Sequence, residues 1–388
     1  MSIGIRYFSA PGRVEIGGNH TDHQHGRVLA AAVGLEITAA AAPDDSNVVK
    51  LFVTQGDGSV FAGEHIAAPL CSVDLDVPEA IPGEKGTSAA LVRGVAAWFS
   101  QRGLPVGGFS ASLSSNIPIG AGLSSSAAFT VLIGNIFKGL YGADASPIEI
   151  AQAGQFAENA YFGKPCGLMD QAASSFGGLN VFDFADPQNP SVLPIRADLS
   201  GYSMCVVNTG GSHADLTPDY AACASEMKAV AAFFGKGFLR DVCADEFYSS
   251  IPKLRHLGDR AVLRAIHFFA ENDRVLMQAA ALECGEMSAF LDLVIQSGQS
   301  SLACLQNVHS PSNPREQGLS LALALSGEIL EGEGAWRVHG GGFAGTILAF
   351  VHDGLKEEYK RRMTGVFGDG CCHFLNICFQ GGGEIQSG

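Results

Sequence analysis

A short stretch near the N-terminus, IGGNHTDHQHG (16–26), concentrates side chains that could do chemistry. Three histidines, an aspartate, an asparagine and a threonine lie within these eleven residues. The H-x-x-H-x-H spacing of His20, His23 and His25, with Asp22 between them, is compatible with zinc binding. The same side chains equally suit a polar ligand, or a flexible surface loop that binds nothing. The stretch by itself leaves all these interpretations open.

A second segment, NIPIGAGLSSSAAFT (116–130), joins a strand pattern to the strongest helix pattern in the chain. Gly120 and Gly122 permit a tight turn and a close backbone approach to a ligand. The serines at 124–126 add hydroxyl and N–H groups where the helix dipole places about half a positive charge, an arrangement that favours phosphate. The simpler interpretation is a serine-capped helix after a glycine turn. No G-x-x-x-x-G-K-[ST] motif is present, so any nucleotide site follows another plan.

A second glycine cluster, HGGGFAGT (339–346), matches G-x-G-x-x-G at Gly340, Gly342 and Gly345. A strand pattern, TILAFV, follows it, whereas the dinucleotide-binding fingerprint requires a helix there. No H-R-D or D-F-G motif follows either, which argues against a protein-kinase loop. What remains is a strand turn, or a loop that brings backbone close to a nucleotide or to the loop around Gly120 and Gly122, the first glycine loop.

Two carboxylates and one arginine complete the set of candidate groups. Asp170 lies in PCGLMDQ, Glu158 lies on a predicted helix, and Arg13 follows a Pro-Gly turn. Each has an ordinary explanation, as a helix-start aspartate, a solvated helix face or a surface arginine. Together with a phosphate cradle, they supply the base, the metal-binding carboxylate and the cation that phosphoryl transfer needs.

Alternating strand and helix patterns must position these residues. Strands are predicted at 35–41, 48–53, 109–115, 179–184, 204–208, 346–351 and 373–380, with a Gln55-Gly-Asp-Gly turn after the second. Helices are predicted around 91–99, at 129–140, after a capping box at Ser146–Glu149, from Thr217-Pro218, and at 355–363. Residues from about 215 to 335 are predicted to be mostly helical, and a domain boundary is expected near residue 200.

Length and composition limit the classes of function. The 388 residues, 47% of them apolar, suit a globular protein of two domains. A net charge of −15 argues against nucleic acid or an anionic membrane as partner. The apolar region 28–42 is broken by Gly34 and Glu36 and is too short for a membrane span. With no signal-peptide pattern and ten scattered cysteines, we expect a cytoplasmic protein with reduced thiols.

Three motifs stand in order: PGRVEIGGNHTDHQHG (11–26), PIGAGLSSSA (118–127) and GGGFAGT (340–346). This order resembles the galactokinase branch of the GHMP small-molecule kinases, as does AENAYFGKPCGLMDQ (157–171). The resemblance implies an α+β fold of two domains, 1–200 and 201–388, with the active site in the cleft between them. In that fold the last strand can return to the first domain.

The resemblance also implies an activity, the ATP-dependent phosphorylation of the C1 hydroxyl of D-galactose. Asp170 would be the general base, with Arg13 beside it, and Ser126 and Glu158 would bind Mg²⁺. Such a protein would bind sugar and ATP, without nucleic acid or membrane, as a monomer or weak homodimer. The implied phosphate contacts are Pro118, Gly120, Ala121, Gly122, Leu123, Ser124, Ser125 and Ser126. The implied sugar contacts are Asn19, His20, Thr21, Asp22, Asp170 and Tyr220.

The sequence departs from the family pattern within residues 16–26, the stretch that we call the sugar loop. Where galactokinases usually read G-E-H-T-D-Y, this chain has Asn19 in place of the glutamate and His23 in place of the tyrosine. In the family, that glutamate touches the sugar near C6, so the exchange predicts about tenfold weaker galactose binding. It also removes a repulsion of up to about 4 kcal/mol against a C6 carboxylate. A galactose relative altered at C6, such as galacturonate, is therefore an alternative substrate.

Two further alternatives come from different classes of protein. Relatives of galactokinase that bind sugar and nucleotide without catalysis make a sugar sensor possible, although the retained Arg13, Ser126, Glu158 and Asp170 favour an enzyme. A zinc hydrolase using His20, Asp22, His23 and His25 would leave the phosphate loop unexplained.

Overall fold

The computed structural model of the chain describes residues 4–53, 69–118, 120–211 and 216–386, and the predicted turn at Gln55 lies outside these ranges. The predicted α+β fold is confirmed: helices pack on two separate sheets. The strands are β1 Arg6–Gly17, β2 Arg27–Pro43, β3 Val48–Val53, β4 Pro69–Asp74, β5 Phe109–Ser115, β6 Leu179–Asp183, β7 Ser191–Pro194, β8 Tyr202–Asn208, β9 Gly334–Val338, β10 Thr346–His352, β11 Cys372–Leu375 and β12 Gly383–Ile385.

Helices connect these strands and cover the sheets. They are α1 Ser88–Gln101, α2 Ser125–Tyr141, α3 Pro147–Phe156, α4 Met169–Phe176, α5 Thr217–Phe233, α6 Ala244–Leu254, α7 Asp259–Glu283, α8 Met287–Ser300, α9 Gly318–Leu330 and α10 Lys356–Phe367. Single π-helical turns follow α3 and α8, at Ala157–Phe162 and Ser301–Leu305. The capping box predicted at Ser146 and Glu149 is present at the start of α3.

The first sheet has the order β12-β1-β2-β5-β3-β4, with β6 and β7 extending from β2. The long strand β2 makes this branching possible, because residues 27–31 pair with β6 while residues 37–43 pair with β5. Residues 28–33 are almost completely buried, which explains the apolar, alanine-rich sequence there. It is a strand covered on both faces, as continuous apolar runs in sheets usually are.

The second sheet, β11-β8-β10-β9, is antiparallel throughout. The predicted strand at 373–380 is wrong beyond Leu375. There the chain leaves the second sheet, and Ile377 forms a bridge to Val33 of β2 in the first sheet. It then adds β12 beside β1, with Phe8 opposite Glu384.

A continuous apolar core joins the two sheets. It includes Val14 of β1, Leu132 of α2, Phe290 of α8 and Phe350 of β10, and the rings of the last two lie 5.0 Å apart, edge to face. The strand that carries Arg13 is therefore packed between helices from both halves of the chain. Within the described ranges, no helix is long and apolar enough to cross a membrane.

Candidate active site

Arg13 and Asp170, which lie 157 positions apart in the sequence, form an ion pair. Arg13 lies on β1 and Asp170 in the first turn of α4, and the Arg13 Nε donates to Asp170 Oδ1 at 2.7 Å. The same guanidinium donates from Nη1 to the carbonyl oxygen of Gly122 at 2.6 Å. The Arg13 side chain is 6% exposed, whereas that of Asp170 is 29% exposed. One arginine thus links a partly accessible carboxylate to the first glycine loop.

The surroundings of Asp170 favour its ionised form. Burial raises the pKa of this carboxyl, but the charge of Arg13 and hydrogen bonds from Arg13 and Ser124 outweigh it and leave the pKa below its usual value. The Ser124 hydroxyl donates to Asp170 Oδ2 at 2.5 Å, so each carboxylate oxygen has a donor. An ionised carboxylate oxygen retains a further lone pair, which can accept a proton from a substrate hydroxyl.

The first glycine loop is held between β1 and the second glycine cluster. The backbone N–H of Arg13 donates to the carbonyl oxygen of Leu123 at 3.2 Å. Gly122 has φ +69°, and a Cβ added there would lie 2.4 Å from Thr346 Oγ1. The loop leads into α2, whose N-cap residue Ser124 makes no side-chain capping bond. The N–H groups of the first turn are consequently available to an anion such as a phosphate.

Ser126 and Glu158 are brought together beside this loop. Glu158 lies in the π-helical turn after α3 and is 3% exposed. Burial raises its pKa, while Lys164 and a hydrogen bond from Ser126 act in the opposite direction. A hydroxyl and a carboxylate with Asp170 close by are hard oxygen donors of the kind Mg²⁺ prefers in proteins that bind nucleotide phosphates. The pair therefore fits the predicted Mg²⁺, which Ser126 and Glu158 would hold.

Asp22 lies against the same region. A Cβ on Gly167 would fall 1.6 Å from Asp22 Oδ2, so glycine at 167 is what allows the carboxylate to lie here. Burial and the nearby charge of Asp170 raise the pKa of Asp22 to about 6, against hydrogen bonds from the backbone of His23 and Met169. The carboxylates of Asp170 and Asp22 thus lie close to each other, the first with a lowered pKa and the second with a raised pKa.

His20 and Tyr220 contact the second glycine cluster. The His20 ring lies within hydrogen-bond distance of the Gly341 carbonyl oxygen, 2.9 Å, and of the His23 ring, 3.2 Å. Burial lowers the pKa of His20 to about 4, so the ring is neutral at pH 7. The Tyr220 hydroxyl donates to the Gly342 carbonyl oxygen at 3.1 Å, and burial raises its pKa to about 12. Both side chains are half-buried, and both are uncharged at pH 7.

Two predicted sugar contacts need correction. Asn19 and Thr21 are both 0% exposed, so neither side chain can touch a ligand in this structure. The Thr21 hydroxyl bonds to the carbonyl oxygens of Gly18 and Arg27 and closes the turn. The Asn19 amide donates to Glu15 Oε1 at 2.9 Å and accepts from Asn307 Nδ2 at 2.8 Å. Both residues shape the sugar loop from inside.

A buried network beneath this loop was missed from the sequence. Arg337 of β9, 0% exposed, donates from Nη2 to Glu15 Oε1 at 2.8 Å and from Nη1 to the Ile16 carbonyl oxygen at 2.7 Å. His267 of α7 reaches the Asn19 carbonyl oxygen at 2.9 Å. The available signal was a glutamate inside an apolar strand, two positions from Arg13 and on the same face. Its partner, more than 300 residues away, has no local signature.

The second glycine cluster contacts both other motifs. Gly340 and Gly341 offer carbonyl oxygens to Asn19 and His20, and Thr346 lies against Gly122. Gly342 has φ +76°, and a Cβ there would lie 2.2 Å from the Asn307 carbonyl oxygen. Two of the interpretations left open by the sequence are observed: the cluster is the turn between the paired strands β9 and β10, and it closely approaches the first glycine loop. In the described part of the chain, no group of three or more His, Cys, Asp or Glu is arranged to hold a metal, and His25 stacks on Phe238.

Comparison with known proteins first defines the class. The model of the GHMP kinases N terminal domain matches residues 90–178, and that of the galactokinase galactose-binding signature matches residues 4–43. Among solved structures, Lactococcus lactis galactokinase complexed with galactose superposes with a TM-score of 0.81 at 24% identity, covering 98% of this chain and 95% of that one. A D-glycero-D-manno-heptose 1-phosphate kinase gives 0.62 at 16% identity, covering 98% and 99%. The fold is that of the GHMP kinases.

Curated relatives narrow the class. A galactokinase of Glaesserella parasuis is 30% identical over 354 residues, which cover 91% of this chain and 86% of the relative. A galactokinase of Actinobacillus pleuropneumoniae is 28% identical over 353 residues, with the same coverage. This chain belongs to the galactokinase family.

Proposed function

We propose that the protein is a galactokinase that transfers the γ-phosphoryl group of ATP to the C1 hydroxyl of D-galactose, giving galactose 1-phosphate and ADP. The observation that carries this proposal is the position of Asp170. Its ionised carboxylate, paired with Arg13, lies next to a glycine loop at a helix N-terminus and close to the Ser126–Glu158 pair. These are the groups that phosphoryl transfer to a hydroxyl requires.

Asp170 orients the C1 hydroxyl and accepts its proton as the O–P bond forms. An anomeric hydroxyl is a poor nucleophile at pH 7, so a nearby carboxylate is needed to hold it in line with the phosphate. Arg13 keeps Asp170 ionised and places positive charge beside the transferring group. Mg²⁺, held by Ser126 and Glu158, would neutralise phosphate charge.

The phosphates of ATP lie, in this proposal, on the loop from Pro118 to Ser126. Support comes from the uncapped N-terminus of α2 and from the lack of side-chain bulk at Gly120 and Gly122. The sugar lies between this loop and His20, Asp22 and Tyr220, which with Asp170 are the half-buried members of the predicted set. Asn19 and Thr21 support this site without touching the sugar.

Galactose is preferred here over a sugar altered at C6. The argument for galacturonate rested on Asn19 facing the sugar, and the buried Asn19 side chain is occupied by Glu15 and Asn307. A non-catalytic sensor has no particular feature in its favour, because Arg13, Asp170, Ser126 and Glu158 are all present and close together. The division at residue 200, the cytoplasmic location and the monomer or weak homodimer stay predictions.

The test is a panel of sugars with Mg-ATP, with ADP release as the measurement. D-galactose should give turnover, D-galacturonate should give at most a small fraction of it, and the Asp170→Asn variant should give neither. A preference for galacturonate would overturn the choice of sugar. Galactose binding by calorimetry without any ADP release would instead favour the sensor.

A further inference from the structure

Ser124 stands out in the first glycine loop because of its backbone. It has φ +55° and ψ +54°, the left-handed conformation, which residues with a side chain adopt at a cost. Gly120 and Gly122, four and two positions earlier, have positive φ and pay no such cost. A serine where glycine would be easier is a strained position, and strain of this kind concentrates at functional sites.

The Ser124 hydroxyl does not perform the usual task of its position. Serine is favoured as the N-cap of a helix because its oxygen accepts from an N–H group of the first turn. Ser124 is the N-cap of α2 but makes no such bond, and its hydroxyl donates to Asp170 Oδ2 at 2.5 Å. One orientation of this side chain therefore frees the helix N-terminus for phosphate and holds the second oxygen of Asp170.

We propose that Ser124 is a positioning residue for Asp170, linking the phosphate loop to the general base through this hydrogen bond. With Arg13 on Oδ1 and Ser124 on Oδ2, the plane of the Asp170 carboxylate is fixed from two sides, by β1 and by the loop. The inference rests on the proposed function and adds to Ser124 a role distinct from contact with ATP.

The hydrogen bond also has an electrostatic effect. The bond from Ser124 is one of the causes that hold the pKa of Asp170 below its usual value. Its loss must therefore move the ionisation of Asp170 to higher pH, since a donor to the charged form favours that form. The ionisable groups that influence or surround Asp170 are Arg13, Asp22, Glu158, Lys164, Cys166 and His339.

Three substitutions separate the hydroxyl from the backbone. Ser124→Ala removes the donor and keeps a side chain in the left-handed conformation, whereas Ser124→Gly removes the donor and relieves the strain. Ser124→Asn keeps a donor and tolerates positive φ. If the hydroxyl positions Asp170, the Ala and Gly variants should both lower kcat about 10- to 100-fold and move the acid limb of the pH profile to higher pH. The Asn variant should recover part of the kcat and part of the shift in the pH profile. Ser249→Ala, an exposed serine on α6, is the control.

Two kinetic results would overturn the proposal. A Gly variant at least as active as the wild type would show that only backbone strain matters. A raised KM for ATP with unchanged kcat and pH profile would show an ATP contact only. The titration of Asp170 followed by carboxyl ¹³C NMR, in wild type and Ser124→Gly, needs no turnover. A shift there with no sugar kinase activity would count against the proposed function alone, whereas unchanged titration would count against the role of Ser124.

Discussion

Arg13 and Glu15 lie two positions apart on β1, and each forms an ion pair with a residue far away in the sequence. The lengths are nearly equal, 2.7 Å for Arg13–Asp170 and 2.8 Å for Arg337–Glu15. The two carboxylates nevertheless have opposite properties. The pKa of Asp170 is lowered, whereas that of Glu15 is raised to about 7. Two pairs of similar geometry on one strand thus give one charged carboxylate and one carboxyl that is about half protonated near pH 7.

Burial raises the pKa of both carboxyls, and the difference lies in the donors and charges around them. Glu15 is 4% exposed, and the penalty of burial exceeds the attraction of Arg337 and Arg13. Asp170 is 29% exposed and receives donors on both oxygens, which is sufficient to keep it ionised. An ion pair by itself therefore does not identify a catalytic carboxylate. Access to solvent together with donors to the charged form distinguishes Asp170 from Glu15.

The largest expected effect separates the two pairs by function. Asp170→Asn removes the base but keeps the shape of the side chain, so kcat should fall about 100- to 10,000-fold. Glu15→Gln, the matching change in the other pair, should leave kcat within about tenfold. Both are measured by ADP release under saturating galactose and ATP, with circular dichroism to confirm folding. Equal losses in the two variants would contradict the comparison.

The next effect is on stability. Asn19→Glu would introduce the residue usual in the family, but Asn19 lies 2.9 Å from Glu15 Oε1. Two carboxylates at this distance should lower the free energy of unfolding by up to about 4 kcal/mol, measured by urea denaturation at pH 8. Asn19→Gln is the neutral control. The double variant Glu15→Gln with Asn19→Glu should recover much of the loss, and an unchanged loss would show that crowding, not charge, is responsible.

The raised pKa of Glu15 predicts a pH dependence of stability with a definite sign. Between the ordinary carboxyl value and about 7, the folded state binds more protons than the unfolded state, so stability is present below this range and is lost as pH rises through it. Between pH 5 and pH 8, the free energy of unfolding of Glu15→Gln should rise by about 2 kcal/mol relative to that of the wild type, as measured by urea denaturation. Asp170→Asn should show the opposite sign in acid, because the Asp170 pKa is lowered. If the free energy of unfolding of Glu15→Gln showed no such rise, the contrast between Glu15 and Asp170 would be contradicted.

The smallest effect concerns Asp22, which lies beside Asp170 and has a pKa raised to about 6. If its carboxylate accepts a sugar hydroxyl, kcat/KM for galactose should fall about tenfold between pH 7 and pH 5, as the ionised fraction falls. Asp170, with its lowered pKa, should contribute little in this range. Asp22→Asn should be less active at pH 7 but nearly independent of pH from 5 to 7. An unchanged slope in that variant would assign the titration to another group.

Local sequence signals were sufficient for much of the fold. β3 and β5 have the predicted bounds, and the capping box at Ser146 starts α3, because strand alternation and helix caps are determined within a few residues. The strand predicted at 373–380 was wrong because Ile377 crosses to Val33, a partner that no local pattern indicates. The apolar run from Val28 is buried in a strand because α2, α4 and α7, which come later in the sequence, pack against β2.

The residues that form the site could be predicted from the sequence, but the orientation of their side chains could not. The structure brings Asp170, Arg13, Ser126 and Glu158 together, as the motifs indicated, and their roles stay predictions. The orientation of Asn19 could not be deduced, since it depends on Glu15, Asn307 and Arg337, which come from both halves of the chain. The bond from Ser124 to Asp170 spans 46 positions and depends on a left-handed residue that no motif specifies.

The return of the chain to β1 has a consequence for biosynthesis. β12 pairs with Tyr7, Phe8 and Ser9, so one edge of the strand that carries Arg13 and Glu15 stays open until residues 383–385 have been made. By then, every residue of the second sheet has already been synthesised. The sheet that begins first is thus completed last, and its exposed edge is open to incorrect pairing while the rest of the protein is translated.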